Sequence, residues 1–238
     1  PTDIVMSAIV NDALRKQGNL IIPTFAVERA QEIMFVLQDL REKNMIPKSV
    51  PIYLDSPMGI DATQIMMKYP GWHKLSKELC KKMCEDIIMV KEFEETKRII
   101  KENHTKIIIA GSGMLSGGRT LEYLKAYVGD KKTTVLFVGY QAEGTRGKAM
   151  LSGDRNIKIH GQYYHVNAEV KEVSSFSGHA DRGEIMEWLS NLYLLPGKIF
   201  LNHGEPQSLL ALKNYIEESM PTKCIIPRLN ETFSLEYS

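Results

Sequence analysis

Apolar and polar positions alternate along the first part of the chain in a way that predicts short buried strands separated by amphipathic helices. Short apolar runs of the kind that forms buried strands occupy residues 19–23, 51–54, 105–110 and 133–138. Apolar residues recur at helical spacing over residues 2–17, 25–43 and 118–127, and residues 60–103 are expected to be rich in helix. This alternation is typical of an α/β sheet whose two faces are covered by helices.

The residue composition changes after about residue 139, where small and charged residues dominate up to residue 156. The pattern then predicts strands at 157–160, 163–173 and 198–202, helices at 181–192 and 206–217, and two short strands near Cys224 and Phe233. Asp181 and Glu184 have the spacing of a capping box at the start of the first of these helices. We therefore place a domain boundary near residue 150, which divides the chain into residues 1–150 and 151–238.

Composition and charge exclude several classes of protein. The 238 residues include 30 Lys and Arg and 29 Asp and Glu, so a net charge of +1 excludes a uniformly basic binder of polyanions. The content of 43% hydrophobic and 25% charged residues is that of a globular domain rather than a disordered or fibrous one. The apolar runs are too short to cross a bilayer, so no membrane partner is expected. Three cysteines favour a reducing compartment, and we expect the cytoplasm.

A glycine-rich loop follows the apolar run at 105–110 and carries Gly111, Ser112 and Gly113. Glycines at such a place let backbone amides approach a phosphate, but they are also what a tight turn requires. The next residues, 119–158, contain eight Lys and Arg against four Asp and Glu. This local excess indicates either a surface for a polyanion or an ordinary solvated face, and the sequence leaves both alternatives open.

Two histidines stand out because each lies in a loop beside a predicted strand end and has a carboxylate two residues later. His179 is followed by Asp181, and His203 is followed by Glu205. A carboxylate at that spacing is able to orient an imidazole. Whether the two histidines share one site is left open by the residues alone. The histidines that flank the turn at 160–165 are expected to be structural.

Six motifs occur in an order that identifies the chain as similar to a known family. They are GNLIIPTFAVERAQE at 18–32, DSPM at 55–58, GSGMLSGGR at 111–119, GYQ with GTRG at 139–147, SGHAD at 177–181 and NHGE at 202–205. Together they resemble the β-CASP group of metallo-β-lactamase-fold nucleases, the group of the RNA 3′-end-processing endonuclease. The resemblance implies a Rossmann-like, parallel-sheet β-CASP domain over residues 1–150. It also implies that residues 151–238 are the C-terminal part of a metallo-β-lactamase αββα sandwich.

The resemblance further implies roles for individual residues. His203 would bind one of two zinc ions, and His179 would stand beside the scissile phosphate as a general acid or a stabiliser of the transition state. Asp181 and Glu205 would orient these imidazoles. The residues implied in phosphate or RNA binding are Ser177, Gly111, Ser112, Gly113, Arg29 and Arg146. A histidine at the position of His203 is typical of RNA-directed members, so the implied activity is hydrolysis of RNA phosphodiesters in RNA processing or decay.

One departure from the family pattern limits these expectations. The H-x-H-x-D-H metal signature of the family is absent, and the chain begins with Pro1 rather than Met. Because catalytic zinc sites use at least three protein ligands, His203 alone cannot hold the metal. We therefore expect a C-terminal fragment that is inactive and without bound zinc by itself. Its expected partners are RNA, the missing N-terminal metallo-β-lactamase portion and a second copy in a homodimer.

Two other functions stay open at this point. The chain could belong to a catalytically inactive family member that serves as an RNA-binding or scaffold subunit. Alternatively, it could be a simple nucleotide-binding α/β module that uses the glycine-rich loop. The second of these leaves the motifs around His179 and His203 without an explanation.

Overall fold

The computed structural model describes residues 2–176 and 178–235. The chain divides into two compact units, Pro1–Ser177 and Gly178–Ser238. The helices of the first unit are α1 (Thr2–Arg15), α2 (Arg29–Glu42), α3 (Pro57–Lys68), α4 (Lys77–Cys84), α5 (Phe93–Lys101), α6 (Thr120–Tyr127) and α7 (Arg146–Leu151). Its strands are β1 (Leu20–Pro23), β2 (Ile52–Asp55), β3 (Ile87–Val90), β4 (Ile107–Ala110), β5 (Thr134–Phe137), β6 (Asn156–Ile159), β7 (Gln162–His165) and β8 (Glu169–Glu172).

The main sheet of the first unit is parallel and has the strand order β3-β2-β4-β1-β5-β8. Strands β1, β2, β4 and β5 are buried at every position, as expected for parallel strands with helices on both faces. Alternate side chains enter different cores, so that Ile22 packs in one and Ile21 in the other. The α/β fold class predicted from the sequence is confirmed.

Three elements differ from the prediction for reasons visible in the structure. The stretch expected to be helix-rich contains strand β3, a four-residue edge strand that lies between helices α4 and α5. The predicted strand at 163–173 is two strands, because β7 pairs with β6 while β8 pairs with β5. In the described residues 231–235 no strand forms around Phe233, so that prediction was wrong.

The pairing of β8 also decides where the compact units separate. Because β8 lies beside β5 in the main sheet, residues 151–176 belong to the first unit. The structure therefore separates the units after residue 177, whereas the change in residue composition suggested residue 150. The assignment of the two parts to a β-CASP domain and a metallo-β-lactamase portion stays a prediction.

The second unit is a short alternation of helix and strand. Its elements are α8 (Arg182–Ser190), β9 (Lys198–Phe200), α9 (Pro206–Ser219) and β10 (Lys223–Ile225). Strands β9 and β10 pair in parallel, and the fully buried core consists of Leu189, Ile216 and Cys224. Large apolar side chains are left at the surface of this unit, among them Tyr193, which is 99% exposed, and Leu194, which is 78% exposed.

A buried carboxylate ties the first unit together at the end of β2. Asp55 is fully buried and accepts hydrogen bonds from the Tyr123 hydroxyl at 2.6 Å and the Thr96 hydroxyl at 2.7 Å. The Arg119 guanidinium lies 3.2 Å from its other oxygen. Burial raises the pKa of Asp55, and these three donors oppose that rise. Since Thr96 lies in α5 and Tyr123 in α6, one carboxylate connects both helices to the sheet.

We predict that Asp55→Asn lowers the free energy of unfolding by about 3 kcal/mol or more, because it leaves the Arg119 guanidinium partly buried without its counter-charge. The matched control is Asp61→Asn, since Asp61 is 57% exposed and forms a surface ion pair with Lys91. Such pairs contribute about 1 kcal/mol or less. Urea denaturation followed by circular dichroism measures both variants, and equal midpoints would contradict the role assigned to Asp55.

Candidate functional site

The loops that carry the predicted RNA-binding residues of the first unit start at one edge of the main sheet. Parallel pairing aligns Pro23 and Asp55 with Ala110, so β1, β2 and β4 end side by side. Arg29 follows β1 and Gly111 follows β4, while Arg146 comes after β5. Ligands of open α/β sheets bind outside the carboxyl ends of the strands. The structure therefore places these predicted residues at the edge where a ligand is expected.

The glycine-rich loop after β4 is held by its own backbone. Gly118 has a φ of +71°, and a Cβ there would lie 2.4 Å from the carbonyl oxygen of Gly111. That same oxygen accepts a hydrogen bond of 2.8 Å from the amide of Thr120. Gly113 is buried, and a Cβ on it would lie 3.1 Å from Phe25. Close approach thus explains the glycines, and phosphate binding by Gly111, Ser112 and Gly113 stays a prediction.

Gln141 supports the same loop from the segment that follows β5, a role that the sequence reasoning did not assign. The side chain is 4% exposed, and its Nε2 donates to the carbonyl oxygens of Gly113 and Gly139, both at 3.0 Å. The only signal for it in the sequence was its place in the GYQ motif. A glutamine at this position joins two loops at the sheet edge through one amide.

Both arginines predicted to contact RNA have partners within the protein. The Arg146 guanidinium donates to the carbonyl oxygen of Leu115 at 2.9 Å and to that of Lys158. Arg29 forms an ion pair with Glu32, and its guanidinium carbon lies 5.8 Å from the centre of the Phe176 ring. Burial raises the pKa of Glu32, and the charge of Arg29 opposes that rise. These contacts show bracing roles for both arginines, whereas RNA contact stays a prediction.

His179 lies in the exposed loop before α8, whereas Ser177 is outside the described residues. Asp181 caps the helix: its carboxylate accepts from the Glu184 amide at 2.9 Å, and the Glu184 carboxylate accepts from the Asp181 amide at 2.8 Å. The predicted capping box is confirmed. Capping is thus the role that the structure shows for Asp181, and its orienting of His179 stays a prediction.

His203 lies in the exposed loop between β9 and α9 and has a φ of +59°. This left-handed conformation costs little for glycine and is uncommon for other residues. Seven other non-glycine residues among those described also have a positive φ, so the conformation alone does not mark His203 as functional. Glu205 is the residue directly before α9, which begins at Pro206.

The order of elements favours one common edge for the two histidine loops. His179 precedes α8, and His203 follows β9 and precedes α9. In units that alternate helix and parallel strand, helices run back along the strands, so their N-termini lie where the strands end. This topology is consistent with a shared site for the two imidazoles, which the sequence left open.

The donor set of the chain does not by itself fit a catalytic metal. Among residues 2–176 and 178–235 there is no group of three or more His, Cys, Asp or Glu side chains arranged to hold a metal ion. A catalytic zinc ion requires at least three protein ligands. We therefore derive no reaction step through a metal from this chain alone.

We predict that Gly118→Ala destabilises the first unit more than Gly144→Ala does. Both glycines have a positive φ, of +71° and +79°, but a Cβ at Gly144 would meet no atom within 4 Å. Gly144→Ala should cost about 1 kcal/mol for its left-handed backbone. Gly118→Ala should cost about 1–3 kcal/mol more, because its methyl group collides with the Gly111 carbonyl. Equal thermal unfolding temperatures for the two variants would contradict this account of the loop.

Two family models match consecutive parts of the chain. Residues 30–150 match the Beta-Casp domain. Residues 163–227 match the Zn-dependent metallo-hydrolase RNA specificity domain. The first match extends from α2 to α7 and includes strands β2 to β5 of the main sheet. The second begins in β7 and includes both histidine loops.

Similar proteins of known name cover nearly the whole chain. The transcription termination factor FttA of Pyrococcus horikoshii is 37% identical over 239 aligned residues, which are 95% of this chain and 36% of that protein. FttA of Thermococcus kodakarensis is 38% identical over 224 residues, or 88% of this chain and 34% of that protein. Ribonuclease TTHA0252 of Thermus thermophilus is 35% identical over 213 residues, or 86% of this chain and 47% of that protein.

The chain thus spans between about a third and a half of the length of these relatives. The Beta-Casp match extends over half of the chain, on the parallel α/β sheet described above. The resemblance inferred from six motifs is confirmed, and the chain belongs to the β-CASP family of nucleases.

Proposed function

We propose that this chain is part of a zinc-dependent RNA nuclease that hydrolyses phosphodiester bonds in RNA processing or decay. The observation that carries the proposal is the position of His203. It stands in a left-handed conformation after β9, inside the region that matches a metallo-hydrolase model. The name of a ribonuclease relative, 35% identical to this chain, supports RNA as the substrate.

His203 acts in this proposal as one ligand of a zinc ion. Imidazole nitrogen is among the common zinc ligands in catalytic sites. In this proposal the other ligands come from a part of the complete protein that lies outside this chain. The chain by itself would be inactive and would bind no zinc. A zinc pair, if held there in the complete protein, would supply activation of water and neutralisation of charge on the phosphodiester oxygens.

His179 acts beside the scissile phosphate, where its imidazole stabilises the developing charge or donates a proton to the leaving oxygen. Its exposed position before the capped helix α8 supports access to a substrate. Ser177 contacts the phosphate from the same loop in this proposal, and Asp181 and Glu205 orient the two imidazoles. The glycine-rich loop with Gly111, Ser112 and Gly113 guides the RNA backbone at the edge of the main sheet.

The partners of the chain follow from the same proposal. They are RNA, the N-terminal metallo-β-lactamase portion of the complete protein, and a second copy in a homodimer. The exposed apolar side chains of the second unit support a protein partner there, since Trp188 is 66% and Tyr193 is 99% exposed. Within the described residues no helix is long and apolar enough to span a membrane. The proposed location is the cytoplasm.

A second candidate function is an RNA-binding or scaffold subunit without catalysis. The absence of a ligand set from the described residues is compatible with it, although it does not distinguish it from the first candidate. The zinc content of the complete protein would distinguish the two candidates, since only the first requires zinc. A plain nucleotide-binding module is less well supported, because the glycine-rich loop packs against Phe25 and Gln141.

For the metal ligand, we predict that His203→Ala in the complete protein lowers its zinc content and abolishes RNA cleavage. The reason is the loss of one protein ligand from a site that needs at least three. Mass spectrometry of bound metal and a gel assay with labelled RNA measure both effects. His104→Ala is the control, because His104 is half-exposed and its Nε2 lies 3.4 Å from the carboxylate of Glu102. Unchanged zinc content and turnover in His203→Ala would refute the assignment.

For the proton donor, we predict that His179→Ala in the complete protein keeps its zinc but cleaves RNA about 100-fold more slowly or worse. The expected loss lies in kcat, because the imidazole acts in the transition state rather than in holding the metal. Single-turnover cleavage at saturating enzyme measures it. Loss of zinc in this variant, or wild-type cleavage, would contradict the role.

A further inference from the structure

Strands β6 and β7 form an exposed antiparallel hairpin joined by His160 and Gly161. These two residues have φ values of +47° and +85°, as in the type I′ turn that two-residue hairpins favour. The register places Lys158 opposite Tyr163. The register therefore determines which residues of the hairpin lie on each of its two faces.

The two faces of this hairpin differ sharply. On the inner face Ile157 and Ile159 are 2% and 0% exposed and pack in the core of the first unit. On the outer face Tyr163 is 71% exposed, and the Lys158 ammonium lies 5.7 Å from the centre of its ring. The ring of Tyr163 is thus exposed to solvent on a hairpin whose opposite face is packed in the core.

The charge of the hairpin points to the chemistry of a partner. Residues 155–165 contain Arg155 and Lys158 but no Asp or Glu, in a chain whose net charge is only +1. Both side chains are exposed, and so are His160 and His165. An exposed aromatic ring beside a cation suits a nucleotide, whose base stacks on the ring while its phosphate lies near the charge.

The hairpin is also fixed to the glycine-rich loop at the carboxyl edge of the sheet. Arg146 makes this link, because its guanidinium donates both to the Lys158 carbonyl of β6 and to the Leu115 carbonyl of the loop. The outer face of the hairpin therefore holds a defined position relative to the edge where the proposed substrate binds.

We propose that the outer face of the β6–β7 hairpin is a stacking platform for single-stranded RNA, in which Tyr163 stacks on a base and Lys158 neutralises a nearby phosphate. This inference rests on the proposed function for RNA as the ligand and adds a binding site distinct from the histidine loops. Stacking on an exposed aromatic ring tolerates any base, so the platform gives affinity without sequence preference.

The test uses the 238-residue chain and two fluorescent oligonucleotides of equal length, oligouridylate and its abasic counterpart, in anisotropy titrations. Tyr163→Ala should weaken binding of oligouridylate by about fivefold or more and leave binding of the abasic strand unchanged. Tyr163→Phe retains the ring and should bind both as the wild type does. Tyr193→Ala is the matched control, because it removes a tyrosine that is 99% exposed in the other unit.

A second arm tests the charge. Lys158→Gln should reduce the slope of log affinity against log salt by about 0.7 for both oligonucleotides, as expected for one lost phosphate contact to a single strand. Thermal unfolding temperatures equal to that of the wild type verify that the hairpin still folds in each variant.

Several outcomes would overturn the platform. They are no binding of oligouridylate by the wild type, no effect of Tyr163→Ala, an equal loss for the abasic strand, or the same loss in Tyr193→Ala. Competition by an acidic decapeptide as strong as that by RNA would identify a protein surface instead. None of these results bears on zinc content or cleavage in the complete protein, so failure of the platform is distinguishable from failure of the proposed nuclease function.

Discussion

Parallel strand pairing is the constraint on which the rest of the first unit depends. Because β1, β2, β4 and β5 are buried on both faces, their polar groups and loops are confined to the ends of the strands. Their carboxyl ends lie together, and the buried carboxylate of Asp55 connects that edge to helices α5 and α6. These hydrogen bonds fix the edge of the sheet to the two helices, and a fixed edge suits loops that must present a surface to a ligand.

Several residues of the family motifs form hydrogen bonds within the protein, and these bonds hold its loops together. Gly113 and Gln141 join two loops, and Arg146 joins the glycine-rich loop to the β6–β7 hairpin. The hydrogen bonds of Gln141 and Arg146 go to backbone carbonyl oxygens of the fold. The proposed contact with RNA therefore uses side chains that the fold leaves at the surface, such as Tyr163 and Lys158.

Local signals in the sequence predicted local structure well. The apolar runs located four buried strands, and the spacing of Asp181 and Glu184 predicted a capping box that the structure contains. Strand β3 was missed although all four of its residues are apolar, because this short run lies between two charge-rich helical segments.

Contacts between distant parts of the chain could not be predicted in this way. The partners of Asp55 lie 41 and 68 positions away, and no periodicity reveals such pairs. The six ordered motifs predicted the family, which the comparisons confirm, whereas the individual site residues stay predictions because their chemistry requires groups that this chain does not contain.

The central claim is that this chain supplies part of a nuclease site whose metal ligands are completed elsewhere in the protein. The most direct measurement compares hydrolysis of one labelled single-stranded RNA by the 238-residue chain and by the complete protein, at equal concentration with added zinc. The account predicts turnover by the complete protein, abolished by a chelator, and none by the chain. Chelator-sensitive hydrolysis by the chain alone, or no hydrolysis by the complete protein, would contradict it.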